Sequence, residues 1–363
     1  MGSLGAARAR VRDADEDSVL TQAPRPSVSV VVPVLDGEAF LRESLDSILE
    51  QTYLPAEVIV MDDGSIDRTP EIVASYGDRV RYVRQPERRG IYGNANDGIA
   101  LASGELIGVF HADDVYLPEM LEREIEWLSR HPDAGAVFCS DVFIDAEGRE
   151  LGRLELPLEV RGGREIGYAT VLNVLLANKN RFLRCPTALV RASVYRELGG
   201  FRDAEFKNTS DLEFWLRIAR RHPIGVLEDH LLRYRRGHGS SSERYHGLRT
   251  EPERYFAIMD LELAQGGGAV ASPPALAAYE AHRAVDGVLR AVNHYVLGDR
   301  PAAKNVICEV SLKRLVASSR VQRARMLALA LGLHALARLP RIPAIGRLFR
   351  RHWYGDPSPR ESR

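Results

Sequence analysis

The sequence has little cysteine and no long hydrophobic run, and both absences narrow the class of protein. Its 363 residues include three cysteines, Cys139, Cys185 and Cys308, which are too few and too widely spaced for a disulfide framework or a zinc cluster. The first two dozen residues mix arginine with acidic residues and lack the apolar segment of a secretory signal. We therefore expect reduced thiols, a cytoplasmic location and a disordered leader over residues 1–26.

An excess of charge of one sign is also absent. The chain has 49 lysines and arginines against 50 acidic residues, so its net charge gives no argument for a nucleic-acid partner. Hydrophobic residues make up 45% of the chain, which is enough for a large core. We expect one catalytic domain with an appendage.

Short apolar strands alternate with amphipathic helices in the first part of the chain. Residues 28–32 are strand-like, and the apolar residues between 40 and 49 recur at helical spacing. Further strands are predicted at 58–61 and 80–83, with a helix between them. This alternation predicts an α/β fold with parallel βαβ units.

Two acidic doublets, Asp62-Asp63 and Asp113-Asp114, each follow a short β-branched or aromatic run. Each should lie at the carboxyl end of a strand, which is where open α/β sheets bind ligands. Two carboxylate clusters at one sheet edge suggest a nucleotide held through a metal ion. For Asp113-Asp114 the plainer alternative is that a strand ending in two aspartates simply meets solvent.

The segment 90–104 reads GIYGNANDGIALASG, which favours a turn leading into a short helix. By itself it is a weak phosphate-loop signal, because it lacks the Lys-Ser/Thr ending of a Walker loop. It also lies too far along the chain for a dinucleotide fingerprint. A loop with a helix cap is the plainer interpretation of this segment taken alone.

Several motifs occur in an order and spacing that resemble family 2 glycosyltransferases of the GT-A fold. They are VSVVVP at 28–33, LDSILEQTY at 45–53, MDDGS at 61–65, GIYGNANDG at 90–98, ADD at 112–114, LGGF at 198–201, SDLEFW at 210–215 and YRRGH at 234–238. The ordered combination is specific, whereas no single motif is. The resemblance implies a Rossmann-like, mostly parallel central sheet flanked by helices over residues 27–250, with a helical C-terminal extension over 251–363.

The resemblance implies a divalent-metal site at the second doublet. Asp114 matches the direct metal ligand, Asp113 would contact the ribose or the metal's water shell, and His238 would complete the metal shell or touch the diphosphate. Carboxylate oxygens suit Mn²⁺ or Mg²⁺, and such an ion neutralises the charge on a leaving diphosphate. Without the surrounding motif, a lone loop histidine such as His238 is usually just solvated.

The resemblance also implies a donor-binding site. Asp63 matches the uridine-contacting aspartate, Pro33 would line the base pocket, and Asn96 matches the asparagine of the Gly-rich loop. The family often carries an arginine before that asparagine, but Ala95 stands here, so backbone N–H groups are the expected donors to the diphosphate. For Asp62 a structural role, capping the turn at 64–65, is equally open.

Inverting transfer needs a general base on the face of the sugar opposite the leaving group. Asp211 matches the family's catalytic aspartate, although Ser210 stands where relatives often have a glutamate. The alternative is that Asp211 is the N-cap of a helix over 212–220. Arg235 and Arg236 either balance phosphate charge or end a solvated strand.

The C-terminal segment 326–337 is nearly all apolar and is flanked by arginines. It is shorter than the roughly 20 residues that a membrane-spanning helix needs. It could lie in a membrane interface, with the arginines contacting anionic lipid. A helix packed on the catalytic domain or on a dimer partner is the equal alternative.

The sequence thus predicts an inverting, metal-dependent glycosyltransferase that moves a sugar from a nucleotide-diphosphate donor, a UDP-sugar, to a glycan or lipid-linked acceptor in polysaccharide or cell-envelope biosynthesis. A sugar-phosphate nucleotidyltransferase is the enzymatic alternative, and a nucleotide-sugar-binding scaffold without turnover is the other. No nucleic-acid partner is expected, and the cytoplasmic protein could be peripheral on the inner membrane face. The sugar, the acceptor and the oligomeric state stay open.

Overall fold

The computed structural model describes residues 25–237, 249–315 and 320–336. The strands are β1 (Val28–Val34), β2 (Glu57–Asp62), β3 (Arg81–Arg84), β4 (Leu106–Val109), β5 (Val115–Tyr116), β6 (Ala136–Ile144), β7 (Glu150–Arg153), β8 (Ala188–Arg191) and β9 (Ile224–Arg235). The helices are α1 (Leu41–Leu49), α2 (Thr69–Ala74), α3 (Ile91–Leu101), α4 (Met120–Arg130), α5 (Tyr168–Asn178), α6 (Ala192–Leu198), α7 (Asp203–Phe206), α8 (Ser210–Ala219), α9 (Arg254–Ala264), α10 (Pro273–Leu297), α11 (Arg300–Glu309), α12 (Leu312–Leu315) and α13 (Arg320–Leu336). Most of the expected leader, and His238, lie outside the described residues.

In the described part of the chain the strands form one nine-stranded sheet in the order β3-β2-β1-β4-β8-β6-β9-β5, with β7 paired to β6. Strand β1 lies between β2 and β4 and is parallel to both, and β3 is parallel to β2. These are the βαβ units that the alternation of strands and helices predicts. Strand β8 is antiparallel to both β4 and β6, so the second half of the sheet is mixed.

The sheet order explains why the two acidic doublets lie at the same edge of the sheet. The first doublet begins at the end of β2 and the second follows β4, and these two strands flank β1 in parallel. Parallel strands end at the same sheet edge, so both doublets lie at that edge. This arrangement agrees with the expectation from sequence.

Both faces of the sheet are covered by helices. Alternate residues of a buried strand point to opposite faces, so apolar residues on both faces have to be packed. In β1, Val31 belongs to a core cluster that includes residues of α3, α5, α8 and α9. Val30 and Val32 belong to the cluster on the other face, which includes residues of α1, α2 and α4. The buried sheet is therefore a rigid platform for the loops at its edge.

A third core cluster, separate from the other two, joins helices α10 to α13. The long helix α10 is capped at both ends. Its N-cap is Ser272, whose side chain accepts the N–H of Ala275, and its C-cap is the left-handed Gly298. Helix α13 buries Met326, Ala330 and Leu333 in this cluster. Over 320–336 the helix therefore packs on the other helices of the extension, α10 to α12, and its contact with a membrane interface stays a prediction. None of the described helices is both long and apolar enough to span a membrane.

Candidate active site

A cluster of three potential metal ligands lies where the chain leaves β4. One ligand atom each from His111, Asp113 and Asp114 lies within 4.8 Å of the others. Asp114 is 1% exposed, and its Oδ1 accepts the backbone N–H of Arg235 at 2.8 Å. Among the described residues, its Oδ2 and Nε2 of His111 are buried without a hydrogen-bond partner.

The electrostatics of this cluster suit a cation. Burial and the neighbouring charge of Asp113 raise the pKa of Asp114 well above its ordinary value. Burial lowers the pKa of His111, which keeps its imidazole neutral. Buried ligand atoms without partners are costly, and a divalent ion would satisfy them. Two carboxylates and an imidazole form a donor set that fits Mn²⁺ or Mg²⁺. The sequence did not predict His111 as a metal ligand. Its only signal is its position three residues before Asp114.

Arg235 fixes the second doublet in place. Its Nε donates to the carbonyl oxygen of Asp113 at 2.9 Å, and its Nη1 donates to the carbonyls of residues 145 and 146 at 3.0 Å. Its Nη2 pairs with Glu43 at 2.6 Å. Every nitrogen of the buried guanidinium thus donates to protein, which gives Arg235 a structural role, and its balancing of phosphate charge stays a prediction.

The two aspartates of the first doublet have different partners. Asp62 accepts the Ser65 N–H at 2.8 Å and the Tyr82 hydroxyl at 2.5 Å, which confirms its capping role. Asp63 accepts the N–H groups of Arg89 and Gly90 at 2.5 and 3.0 Å. Asp63 therefore holds the start of the Gly-rich segment against the end of β2. Its contact with a nucleotide base stays a prediction.

Pro33 and Asn96, the other expected donor-site residues, are both tightly integrated in the fold. Pro33 is buried in β1 and lies opposite Met61 of β2. Asn96 donates its Nδ2 to the carbonyl of Phe201 at 2.8 Å and accepts the Phe201 N–H at 2.9 Å. A Cβ at Gly200 would lie 2.2 Å from Oδ1 of Asn96, so only glycine fits there. Asn96 therefore holds the loop at 199–201 against α3.

Asp211 lies inside the first turn of α8, which begins at Ser210. The N-cap is Thr209, so the alternative that Asp211 is the N-cap is wrong. Burial raises the pKa of Asp211 to about 6, although hydrogen bonds from the Leu212 N–H and the Tyr92 hydroxyl favour its charged form. A carboxylate with this pKa is a competent general base near neutral pH.

Asp211 and His111 line the same cavity, which has a volume of about 630 Å³. Tyr92, Arg184 and Glu253 also contribute to its wall. Glu253 is the N-cap of α9, and Tyr255 lies in its first turn. Residues on both sides of the boundary expected at 250 therefore line this cavity. No local sequence signal marks Arg184 or Glu253, because each reaches the cavity through the tertiary fold.

Comparison with known proteins agrees with this geometry. Residues 29–199 match the family described as "Glycosyl transferase family 2". An uncharacterized glycosyltransferase of Rickettsia felis is 30% identical over 213 residues, which cover 58% of this chain and 34% of the relative. One of Rickettsia typhi is 31% identical over 197 residues, covering 54% of this chain and 59% of the relative. The chain thus spans about a third to three fifths of these relatives.

The similarity to glycosyltransferase family 2 covers residues 29–199, a little less than half of the chain. Among solved structures, Staphylococcus aureus TarS 1–349 in complex with UDP-GlcNAc is similar, with a TM-score of 0.56 and 19% sequence identity, covering 86% of this chain and 90% of that chain. At this identity the similarity establishes the fold alone. The expected GT-A type α/β fold, with its central sheet flanked by helices and its helical C-terminal extension, is confirmed.

Proposed function

We propose that the chain is an inverting glycosyltransferase that transfers a sugar from a UDP-sugar donor to a hydroxyl group of a glycan or lipid-linked acceptor. One observation carries this proposal: the carboxylate–imidazole cluster reaches, through His111, the cavity that the base-like Asp211 also lines. A single displacement needs a charge-neutralising group on the leaving side and a base on the opposite side. The cluster would hold a divalent ion for the first role, and Asp211 would serve as the base.

Mn²⁺ or Mg²⁺ is the cofactor in this proposal, with Asp114 as direct ligand and Asp113 towards the ribose or the metal's water shell. When bound, the ion neutralises the charge that develops on the departing diphosphate. His111 joins this set because its ring nitrogens lie beside Asp114. His238 stays a proposed ligand from sequence, because it lies outside the described residues.

Asp63 and Pro33, at the ends of β2 and β1, form the proposed wall for the nucleotide base. Asn96 supports that wall through the backbone of Phe201. Asp211 takes the proton of the acceptor hydroxyl, and Tyr92 orients its carboxylate through a hydrogen bond. The proposed setting is cytoplasmic, with peripheral contact to the inner membrane face as a further proposal.

A scaffold that binds nucleotide sugars without turnover is the alternative from another class. It predicts donor binding without release of UDP, whereas a glycosyltransferase slowly hydrolyses its donor when water replaces the acceptor. A thermal-shift screen of UDP-, GDP- and dTDP-sugars, with and without Mn²⁺, identifies the donor. A ligand at 100 times its Kd stabilises a protein by roughly 2.7 kcal/mol, which such a screen resolves.

The metal assignment is tested by Asp114→Asn. The amide keeps an oxygen for the Arg235 N–H, so the fold is retained, but the charge that a metal needs is lost. We expect isothermal titration calorimetry to show loss of the Mn²⁺-dependent part of UDP binding. The matched control is Asp229→Asn, on a surface aspartate paired with Arg123. Equal UDP affinity of Asp114→Asn and wild type in Mn²⁺ would refute the metal site.

A further inference from the structure

Arg184 lines the cavity, and only the Nε of its guanidinium group pairs with a protein carboxylate in the described part of the chain. Its Nε forms an ion pair with Asp141, a fully buried carboxylate of β6. The rings of Phe143 and Tyr234 lie 5.2 and 4.9 Å from the guanidinium carbon. In the described part of the chain, neither Nη group donates a hydrogen bond to a protein acceptor. The side chain is 19% exposed.

This anchoring gives the guanidinium a fixed position. A buried carboxylate holds an arginine strongly, because separating the pair would leave an uncompensated charge in the core. Aromatic faces add a favourable contact with the cation. The Nε side of the group is therefore immobilised, and the two Nη groups present a preformed fork of donors to the cavity.

The position of this charge relative to the other groups indicates its ligand. Arg184 lines the same cavity as Asp211 and as His111 of the metal cluster. The guanidinium therefore lies in one cavity with the proposed base and with a proposed metal ligand. The diphosphate is the negatively charged group of a nucleotide-sugar donor. A donor bound between the metal cluster and Asp211 would therefore offer its diphosphate to Arg184.

Two of the other candidates for this contact are engaged or missing. Every nitrogen of Arg235 donates to protein, and Ala95 replaces an arginine side chain in the Gly-rich segment. Ala95 is a fully buried residue of α3. Lys179 and Arg236 also line the cavity, and Lys179 pairs with Glu253 at 2.6 Å. Arg184, in the loop before β8, is a cavity cation whose Nη groups make no hydrogen bond to the described part of the chain.

We infer that Arg184 binds the diphosphate of the nucleotide donor, with its Nη groups donating to phosphate oxygens that the metal does not cover. Asp141, Phe143 and Tyr234 act as positioning residues that hold its guanidinium. The inference rests on the proposed function, because it assumes a nucleoside diphosphate in this cavity. An arginine fork matches phosphate oxygens in geometry and in charge.

The test compares UDP with uridine in the Arg184→Met variant, since the two ligands differ only in the diphosphate. Methionine keeps an apolar stem between the two rings and removes the donors. We expect UDP affinity in Mn²⁺ to fall about 10- to 100-fold, the range for hydrogen bonds to charged groups. Uridine affinity should change less than about twofold if the base pocket is intact.

Binding of Mn²⁺ alone gives a second readout, measured as free Mn²⁺ by electron paramagnetic resonance. Removing a positive charge near Asp114 should leave Mn²⁺ affinity unchanged or tighter. A collapsed cavity would instead weaken Mn²⁺, UDP and uridine together. Arg184→Lys retains the ion pair with Asp141 but loses the fork, so it keeps the test valid if the methionine variant is unstable. Arg68→Met, on an arginine that is 75% exposed, is the control.

Each outcome either supports or overturns the role of Arg184 as a diphosphate ligand. Selective loss of UDP affinity supports the inference. Unchanged UDP affinity overturns it and leaves the proposed function standing, as would be found if Arg184 instead contacts a phosphate of the acceptor. Parallel loss of UDP and uridine affinity shows a structural role and also overturns it. A wild-type protein that binds neither UDP nor Mn²⁺ contradicts the proposed function and the inference together.

Discussion

Asp211 shows how burial prepares one side chain for proton transfer. Removal from water raises its pKa to about 6, while the Leu212 N–H and the Tyr92 hydroxyl keep it from rising further. Tyr92 is itself buried, and its ring lies 4.9 Å from that of Phe201. The base is therefore held by packing around its partner, and it is charged at neutral pH.

Asp211→Asn should remove the base and retain the fold. We expect the rate of sugar transfer, or of donor hydrolysis, to fall about 10²- to 10⁴-fold while UDP affinity barely changes. In wild type, the rate should fall below about pH 6, where Asp211 becomes protonated. A pH–rate profile of UDP release measures both effects.

The stability of this variant provides an independent check. Because the folded-state pKa is raised, the native state binds more protons than the unfolded state between about pH 4 and pH 6, so wild-type stability falls as pH rises through this window. The asparagine variant lacks this loss and should melt no lower than wild type at pH 7. Full transfer activity in a stable variant would exclude Asp211 as the base.

At the scale of elements, α3 and α8 are joined through the loop at 199–201. Asn96 of α3 bonds both backbone groups of Phe201, and Arg217 of α8 donates to the carbonyls of Leu198 and Gly200. Glu213 pairs with Arg217 one turn away. The loop therefore fixes α3, which carries Tyr92, relative to α8, which carries Asp211.

Asn96→Ala tests whether this asparagine positions the helices or also contacts the donor. Loss of two hydrogen bonds, with partners left unsatisfied, should lower the free energy of unfolding by about 2–4 kcal/mol. Urea denaturation measures this loss, and calorimetry measures UDP affinity under stable conditions. A positioning role predicts little change in UDP affinity. A large loss of affinity with full stability would instead support the donor contact expected from sequence.

At the scale of the whole molecule, helices α10 to α13 share a core cluster of their own, while the start of α10 packs through Tyr279 in the core of the preceding domain. Their cluster includes Met326, Ala330 and Leu333 of α13, and it contains none of the residues that line the cavity. Leu331 of the same helix is 57% exposed. One face of α13 thus stabilises the extension, and the other is open to solvent in the described part of the chain.

The pair Leu333→Ala and Leu331→Ala separates packing from membrane binding. Leu333→Ala should lower the free energy of unfolding by about 2–5 kcal/mol, because it leaves a cavity, whereas Leu331→Ala should change stability by less than about 0.5 kcal/mol. Both variants should bind UDP as wild type does. Co-sedimentation with anionic vesicles that Leu331→Ala weakens and salt reverses would show that the open face contacts lipid.

Local patterns in the sequence determined strands β1 to β3 and the helices between them. Strand and helix periods are properties of a few consecutive residues. They also placed both acidic doublets at strand ends. The order of motifs gave the family and pointed to Asp114 and Asp211. For the C-terminal segment, its apolar pattern predicted a helix but left its partner open.

Only the tertiary structure decided which residue does what at the cavity. The sequence could not separate the turn-capping Asp62 from Asp63, and it could not show that Arg235 is anchored by Asp113 and Glu43. Arg184, Tyr92 and Glu253 reach the cavity from separate elements, and nothing near them in sequence marks that meeting. A periodic pattern reports whether a residue faces the core, whereas charge pairing and hydrogen bonding depend on contacts between residues far apart in the chain.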